Sequence, residues 1–399
     1  MDFFNLFRNT NNKQRQRIFL DYASTTPVDA SVQEVMNNYE TGFFANPSAL
    51  YKEALSAKEI LNNARQKIAE VFNVQKKQIF FTSGGTEGNN LALLGVFEAF
   101  KTDSFKPHFI TTTIEHSSVL EVCKEIERRG GEVTYLPVSS EGIVSSREIL
   151  SALKENTVLV SVMYVNNEIG TIQPIREIGK ILQDWKLKNN KEIPYFHTDA
   201  CQAVLYKELD MQKLRTTMMT IDGIKMYGPR GIGVLAIKGD IKINPVIFGG
   251  GQENNLRSGT ENVGAIVGLA RAFEIAEKLR ESELERLTDI RDYTIKNILK
   301  TFQNATLNGS RVLRLPNNIN ICFPGLDAEF AVISLDVLGI SASYSSSCRN
   351  LKEDSSSYVV ESLGKRDCSN SSLRFTLGRE TQKEDVDILI DALKKIMLQ

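Results

Sequence analysis

The sequence has almost no net charge: 48 Lys and Arg stand against 49 Asp and Glu, a formal charge of -1 over 399 residues. So balanced a chain has no electrostatic reason to seek nucleic acid or an acidic membrane surface. Nor does it contain an apolar run approaching the roughly 18 residues that a membrane span requires. Cysteine is scarce, with five residues, odd in number, scattered, and without a C-x-x-C pair. That spacing argues against a disulfide framework or a zinc knuckle, leads us to expect no metal site, and favours a reducing, cytoplasmic setting. Histidine is scarcer still, at three. No internal repeat is visible. Residues 1–17 are rich in Asn, Gln and Arg and lack the apolar stretch and cleavage site of a secretory signal. They are expected to form a frayed leader, with Phe3, Phe4, Leu6 and Phe7 making at most an amphipathic turn.

What is present is ordinary globular composition, 42% hydrophobic and 24% charged, in a chain long enough for two domains or for one large core with an appended lobe. From about residue 75, short apolar strands alternate with helical patterns. Strands are predicted at 78–82, 109–113, 158–165, 193–196, 218–221 and 231–237, with a helix over 89–100. This alternation implies an α/β fold with a mostly parallel sheet covered by helices on both faces. A long helix over 266–302 leads to a smaller α+β region. There, strands are predicted at 317–322 and 340–342, and helices near 327–338 and 384–397. The Ser-rich, charged stretch 343–357 reads as a mobile loop.

In such a sheet, ligands bind beyond the carboxyl ends of the strands. Thr86, His116, Asn167, Asp199 and Lys225 all fall just past predicted strand ends, which predicts a single site. Asp199, in Asp199-Ala200-Cys201-Gln202, and Lys225, in Gly223-Ile224-Lys225, carry the most chemistry. A lysine amine forms an imine with an aldehyde, and a carboxylate keeps a pyridine nitrogen protonated so that the ring accepts electrons. Pyridoxal phosphate needs both. Lys225 lies between an apolar strand and a Gly/Pro turn, a setting that desolvates an amine, although most lysines are solvated surface groups.

Other candidates have two readings each. Asp199 is either a cofactor partner or a helix cap. His116 either stacks on a planar ring and moves protons or caps a helix. Ser83-Gly84-Gly85-Thr86 either cradles a phosphate or only turns the chain. Arg374, inside an alternating apolar segment, needs a substrate carboxylate or a structural ion pair. Cys348 lies among serines beside Arg349, the surroundings of a thiol that ionises, whereas Cys322 lies in an apolar run; an incidental surface thiol is the other reading.

Together these segments strongly resemble the cysteine desulfurases, fold-type I pyridoxal-phosphate enzymes of the class-V aminotransferase superfamily. The resemblance runs in register from Leu20-Asp21-Tyr22-Ala23-Ser24-Thr25-Thr26-Pro27 to about residue 393. Its most specific stretches are 82–90, Val165-Asn166-Asn167-Glu168-Ile169-Gly170 and Arg257-Ser258-Gly259-Thr260. It implies a seven-stranded-type sheet in a large cofactor domain over 18–265, whose N-terminal segment packs on a small domain over 266–399 that carries the loop 343–357. A homodimer is implied as well.

Residue by residue, the resemblance implies Lys225 as the imine lysine, Asp199 on the pyridine nitrogen, His116 stacked on the ring and Gln202 on its 3-hydroxyl. Asn167 would serve ring edge and substrate, Gly85 and Thr86 the phosphate, and Thr260 would reach across from a second subunit. Arg374 would clamp the carboxylate of L-cysteine. Cys348 would take the sulfur as a persulfide, leaving L-alanine, and pass it to an acceptor protein in iron–sulfur cluster or tRNA-thiolation pathways.

The chain departs from the family pattern where Asp222-Gly223-Ile224-Lys225 replaces the usual Ser-Gly-His-Lys. The usual serine and histidine donate to the phosphate; Ile224 cannot, and Asp222 would repel the phosphate if it pointed there. Tyr51 stands where histidine is common and Ser345 where glycine is common, and the Cys348 loop is about one residue longer than the family pattern. A working enzyme with weakened cofactor affinity is expected. Two other readings stay open: a cofactor-poor paralogue acting as a scaffold or regulator, and a different pyridoxal-phosphate reaction such as selenocysteine lyase or aminotransferase chemistry.

Overall fold

The computed structural model describes residues 17–344 and 356–397. In chain order the strands are β1 Ile18–Phe19, β2 Ile79–Thr82, β3 His108–Thr112, β4 Glu132–Leu136, β5 Thr157–Ser161, β6 Tyr195–Asp199, β7 Met218–Asp222, β8 Gly233–Ile237, β9 Thr306–Leu307, β10 Asn318–Cys322, β11 Ile340–Ser341 and β12 Ser372–Thr376. Seven of them form one sheet in the order β2-β8-β7-β6-β5-β3-β4. The pairs β7–β6, β6–β5, β5–β3 and β3–β4 are parallel, while β8 runs antiparallel to both its neighbours. The doubly covered α/β sheet expected from the sequence is present.

Strands such as Thr-Val-Leu-Val-Ser and Met-Met-Thr-Ile-Asp are near-continuous apolar runs because both their faces are buried. Alternate residues serve opposite cores. Phe80, Phe109, Leu159, Met218 and Leu235 join one cluster, and Phe81, Ile110, Val160, Met219 and Val234 join the other. The edge strand β4 was missed in the sequence. Its Glu-Val-Thr-Tyr-Leu is mostly half-buried and carries little of the apolar signal that marks the central strands. Ile18–Phe19 was not anticipated as a strand; it pairs in parallel with β11 as a separate two-stranded sheet.

Four helices matter for the site: α1 Ala30–Gly42, α2 Lys52–Phe72, α3 Gly85–Phe100 and α4 Ser117–Arg128. Helix α3 begins four residues before the predicted start, because Gly84 and Gly85 cap and open it rather than forming a separate turn. The helix Val263–Thr301 packs on α1 and α2 and reaches β10. There, β9, β10 and β12 form a three-stranded antiparallel sheet.

One expectation is corrected. Cys322 in β10 and Cys368 form a disulfide across a sequence separation of 46. Spacing could not show it, because the two cysteines meet only after β10 and β12 pair. Cys123 and Cys201 are free. Among the described residues, no helix is long and apolar enough to cross a membrane and no group of side chains is arranged to hold a metal ion.

Candidate active site

All five strand-end residues share one edge of the sheet, since β3, β5, β6 and β7 run parallel and β2, two antiparallel steps from β7, points the same way. A cavity of about 220 Å³ opens there. Its lining includes Gly85, Thr86, His116, Asn167, Asp199, Gln202, Lys225 and Arg374, which the sequence singled out as site residues. Thr260 does not line this cavity; it is exposed on the loop after Arg257. Cys348 and the rest of 345–355 lie outside the described residues.

Asp199 is the last residue of β6 and 7% exposed. Its Oδ2 accepts from Asn89 Nδ2 at 2.7 Å and its Oδ1 from the Cys201 N–H at 3.0 Å. Asn89, buried in α3, also donates to Ser118 Oγ at 2.8 Å. The sequence reading missed Asn89; a fully buried amide within an apolar helix was the available signal.

His116 is the N-cap of α4, as one of its two readings held. Its Nδ1 accepts from the Ser118 N–H at 3.2 Å and lies 2.8 Å from Ser118 Oγ. A backbone donor on Nδ1 leaves the proton of the neutral ring on Nε2. Burial pushes the imidazole below its ordinary value, and the Asp199 carboxylate opposes the shift. The cap therefore fixes the tautomer, and burial favours the neutral ring.

Lys225 sits on the short turn Gly223–Lys225 that follows β7. Its Nζ donates to the carbonyls of Ala23 at 2.9 Å and Ser24 at 2.6 Å. Gln202 Nε2 donates to the same Ala23 carbonyl at 2.9 Å. The N-terminal segment thus forms one wall of the cavity, anchored by the Thr26 N–H on the Ile224 carbonyl at 3.0 Å.

Arg374, in the middle of β12, is 2% exposed. Its Nη2 donates to Asp21 Oδ1 at 2.7 Å and Ser24 Oγ at 3.0 Å, and its Nη1 to the Asn167 carbonyl at 3.0 Å. The ion-pair reading of Arg374 is therefore met, while the guanidinium still lines the cavity and its Nε has no hydrogen-bond partner among the described residues.

At the opposite end, the Asp222 carboxylate lies against the start of α3, with Oδ2 accepting from the Gly85 N–H at 2.8 Å. Cys201 lines the cavity near it, and burial, with Asp199 and Asp222 adding to it, raises the thiol well above its ordinary value. Cys201 stays protonated. Glu87 in the first turn of α3 receives both Nε and Nη2 of Arg257, at 2.8 and 3.2 Å, which explains one of the distinctive sequence stretches as a brace for that helix start.

The ring half of pyridoxal phosphate fits these residues. A buried carboxylate held by two donors needs a cation to face, which a protonated pyridine nitrogen supplies, and an amine stands within the same cavity. The phosphate half fits less well, because a carboxylate occupies the helix start.

The sequence pattern of the class-V aminotransferases matches residues 18–389. The chain is 40% identical over 383 residues to a protein of Dictyoglomus turgidum described as cysteine desulfurase IscS, covering 96% of this chain and 95% of that one. It is also 40% identical over 385 residues to the cysteine desulfurase IscS of Methanosarcina thermophila, covering 96% and 93%. Among solved structures, a NifS-like protein superposes with a TM-score of 0.88 at 32% identity, covering 96% of this chain and all, 100%, of that one. SspA in complex with cysteine superposes with a TM-score of 0.76 at 31% identity, covering 90% and 98%. With a pyridoxal-phosphate fold, a lysine and an aspartate at the strand ends, and relatives matched nearly end to end, the chain belongs to the class-V aminotransferase family and, within it, to the cysteine desulfurases.

Proposed function

We propose that the chain removes sulfur from L-cysteine, releases L-alanine and carries the sulfur on Cys348 to an acceptor protein. The convergence of Lys225, Asp199, His116 and Arg374 on one cavity is the observation that supports it most. Pyridoxal phosphate, when bound, withdraws electrons from the substrate α-carbon and so labilises the Cβ–Sγ bond.

The chain's own residues do the rest. Lys225 Nζ, steadied by the Ala23 and Ser24 carbonyls, would hold the cofactor's aldehyde carbon and would move the α-proton. Asp199 keeps the ring nitrogen protonated. His116, neutral through burial, keeps its proton on Nε2 and covers the ring. Gln202 would contact the 3-hydroxyl, and Asn167 the ring edge and substrate. Thr86 would serve the phosphate, and Gly85 would do so only in competition with the Asp222 carboxylate that its N–H already meets. Arg374 receives the substrate carboxylate. The Cys348 thiolate attacks Sγ, the S–S bond forms as the Cβ–Sγ bond breaks, and the electron pair left on Cβ takes a proton. Cysteine and one enzyme thiol thus become alanine and one enzyme persulfide, with atoms and electrons balanced.

We assign this chemistry to a large domain over 18–265 and a small domain over 266–399. The active form is a homodimer in which Thr260 reaches the partner copy's phosphate end, and it works in the cytoplasm with an iron–sulfur or tRNA-thiolation acceptor. The test incubates purified protein with pyridoxal phosphate, cysteine and a thiol reductant. Equal amounts of alanine and sulfide are expected, with a borohydride-stable mass addition on Lys225. Cys348→Ala should abolish sulfide and persulfide; alanine and sulfide formed at full rate without Cys348 would overturn the sulfur-transfer role.

A further inference from the structure

A helix start is a natural seat for a phosphate, since free backbone N–H groups point out of it and the helix dipole favours an anion. In this chain an anion is already seated at the start of α3. Asp222 Oδ2 accepts from the Gly85 N–H at 2.8 Å, and Asp222 Oδ1 from the Ile224 N–H at 3.2 Å. Gly84, the N-cap of α3, makes no side-chain cap bond and has φ of 150°, in the range that favours glycine. A Cβ on Gly84 would come within 3.1 Å of Asp222 Oδ2, and one on Gly85 within 2.8 Å of Cys201 Sγ. The two glycines are what allow the carboxylate and the thiol to approach so closely.

The neighbouring groups do not restore a phosphate site. Thr86, which lines the cavity beside Gly85, still offers a hydroxyl, but one neutral donor does not offset a carboxylate at the helix start. Ile224, which also lines the cavity, carries no side-chain donor. The lysine and arginine of the lining are engaged at the other wall, Lys225 on the Ala23 and Ser24 carbonyls and Arg374 on Asp21. Carboxylate and phosphate are both acceptors and both negative, so they cannot share the Gly85 N–H without a proton between them.

We propose that Asp222 is a resident substitute for the cofactor's phosphate, holding the α3 N–H that the phosphate would use, so that the site takes up an unphosphorylated pyridine aldehyde about as readily as pyridoxal phosphate. This rests on the roles given above to Lys225 and Asp199 and adds a specificity-determining residue at the far end of their cavity. The chain keeps the ring chemistry of its family while recognition of the phosphate ester is largely given up.

The full-length protein, freed of any bound cofactor, is titrated separately with pyridoxal phosphate and with 5′-deoxypyridoxal, which lacks the phosphate and cannot close on itself. Absorption of the lysine-bound aldehyde reports binding. The two wild-type dissociation constants should agree within about tenfold, and Asp222→Ser should tighten pyridoxal phosphate by at least about tenfold while moving 5′-deoxypyridoxal by less than about threefold. Asp222→Asn, equal in shape and uncharged, should shift in the same direction and shows that the effect is electrostatic rather than a folding defect. Inorganic phosphate supplies a second readout: it should raise the thermal unfolding midpoint of Asp222→Ser and leave the wild type unmoved. That measurement needs no lysine adduct, so it decides the role of Asp222 even if Lys225 bound no aldehyde. A strong wild-type preference for the phosphate ester that Asp222→Ser does not increase, or a wild type stabilised by phosphate as much as the variant, would overturn the proposal. Absence of alanine formation from cysteine would instead overturn the reaction assigned above.

Discussion

Arg374 Nη2 donates to Asp21 Oδ1 at 2.7 Å, joining β12 to the N-terminal segment across the floor of the site. Both side chains are largely withdrawn from water, at 2% and 18% exposure, so this is a buried pair whose breakage leaves one charge uncompensated. Arg374→Gln should therefore destabilise the fold by about 3 kcal/mol in urea unfolding. It should also raise KM for cysteine about tenfold or more, through loss of the contact proposed between the guanidinium and the substrate carboxylate. Asp21→Asn separates the two roles: it should share the stability loss and leave KM close to the wild-type value. If both variants raised KM equally, the guanidinium would be acting on substrate only through its position.

Asn89 links α3 to the catalytic edge by donating to both Asp199 and Ser118. Asn89→Leu keeps the branched outline but leaves Asp199 with one of its two donors. A loss of about 1–3 kcal/mol in stability is expected from a buried carboxylate with an unmet bond. Unfolding midpoints of the cofactor-free protein check this; an unchanged midpoint would mean that water replaces the amide there.

Acid sensitivity should come from two buried histidines that do not line the cavity. His197 lies between Ser161 Oγ and Thr220 Oγ1, His108 between Thr157 and Thr134, and burial lowers both from 6.5 to about 4. The folded chain holds both neutral while the unfolded chain protonates them. Their stabilisation is thus complete above about pH 6.5 and is lost as pH falls toward 4, on the order of a few kcal/mol each. Glu115 works in the opposite direction: burial raises its carboxyl to about 8, so its contribution is present below its ordinary value of 4.5 and is lost as pH rises through 8. Between 4.5 and 6.5 the two histidines outweigh the single carboxyl. Stability measured across pH 4 to 9 should peak near neutrality, and Glu115→Gln should flatten the alkaline side. An acid limb unaltered by His197→Gln would refute the assignment.

The Cys322–Cys368 bridge closes a segment with a sequence separation of 46, for which chain-entropy arguments give about 4 kcal/mol of stabilisation. Cys368→Ser should lower the unfolding midpoint under oxidising conditions and make it insensitive to dithiothreitol. Equal midpoints for wild type and variant without reductant would show that the bond does not form in solution.

How much of this was readable from residues follows from the range of each interaction. The central strands announce themselves because a strand buried on both faces must be apolar throughout, and β2, β7 and β10 begin and end within a residue of expectation. Strand β4 escaped because a half-covered edge needs no such run. The reversal of β8 was invisible because direction is decided by the path of the connection, not by the strand itself. Asp199, Lys225 and Arg374 could be found because each is a polar residue where apolar ones are expected. Asn89 hid inside a helix, and the carbonyls of Ala23 and Ser24 could not be found at all, since a backbone oxygen has no letter in the sequence. Asp222 was visible as an oddity, and its target became visible only once β7 and α3 were side by side.

Residues 21–26 carry a further consequence. The carbonyls that steady Lys225, the carboxylate that holds Arg374 and the anchor on Ile224 all come from this short stretch. The amine and the guanidinium, about 150 positions apart in sequence, are therefore gauged against one and the same ruler. A protease cut or a fusion partner that pulled these residues loose would silence the enzyme without altering a single reacting group, leaving a chain that folds, keeps its sheet and has lost its sense of where cysteine belongs.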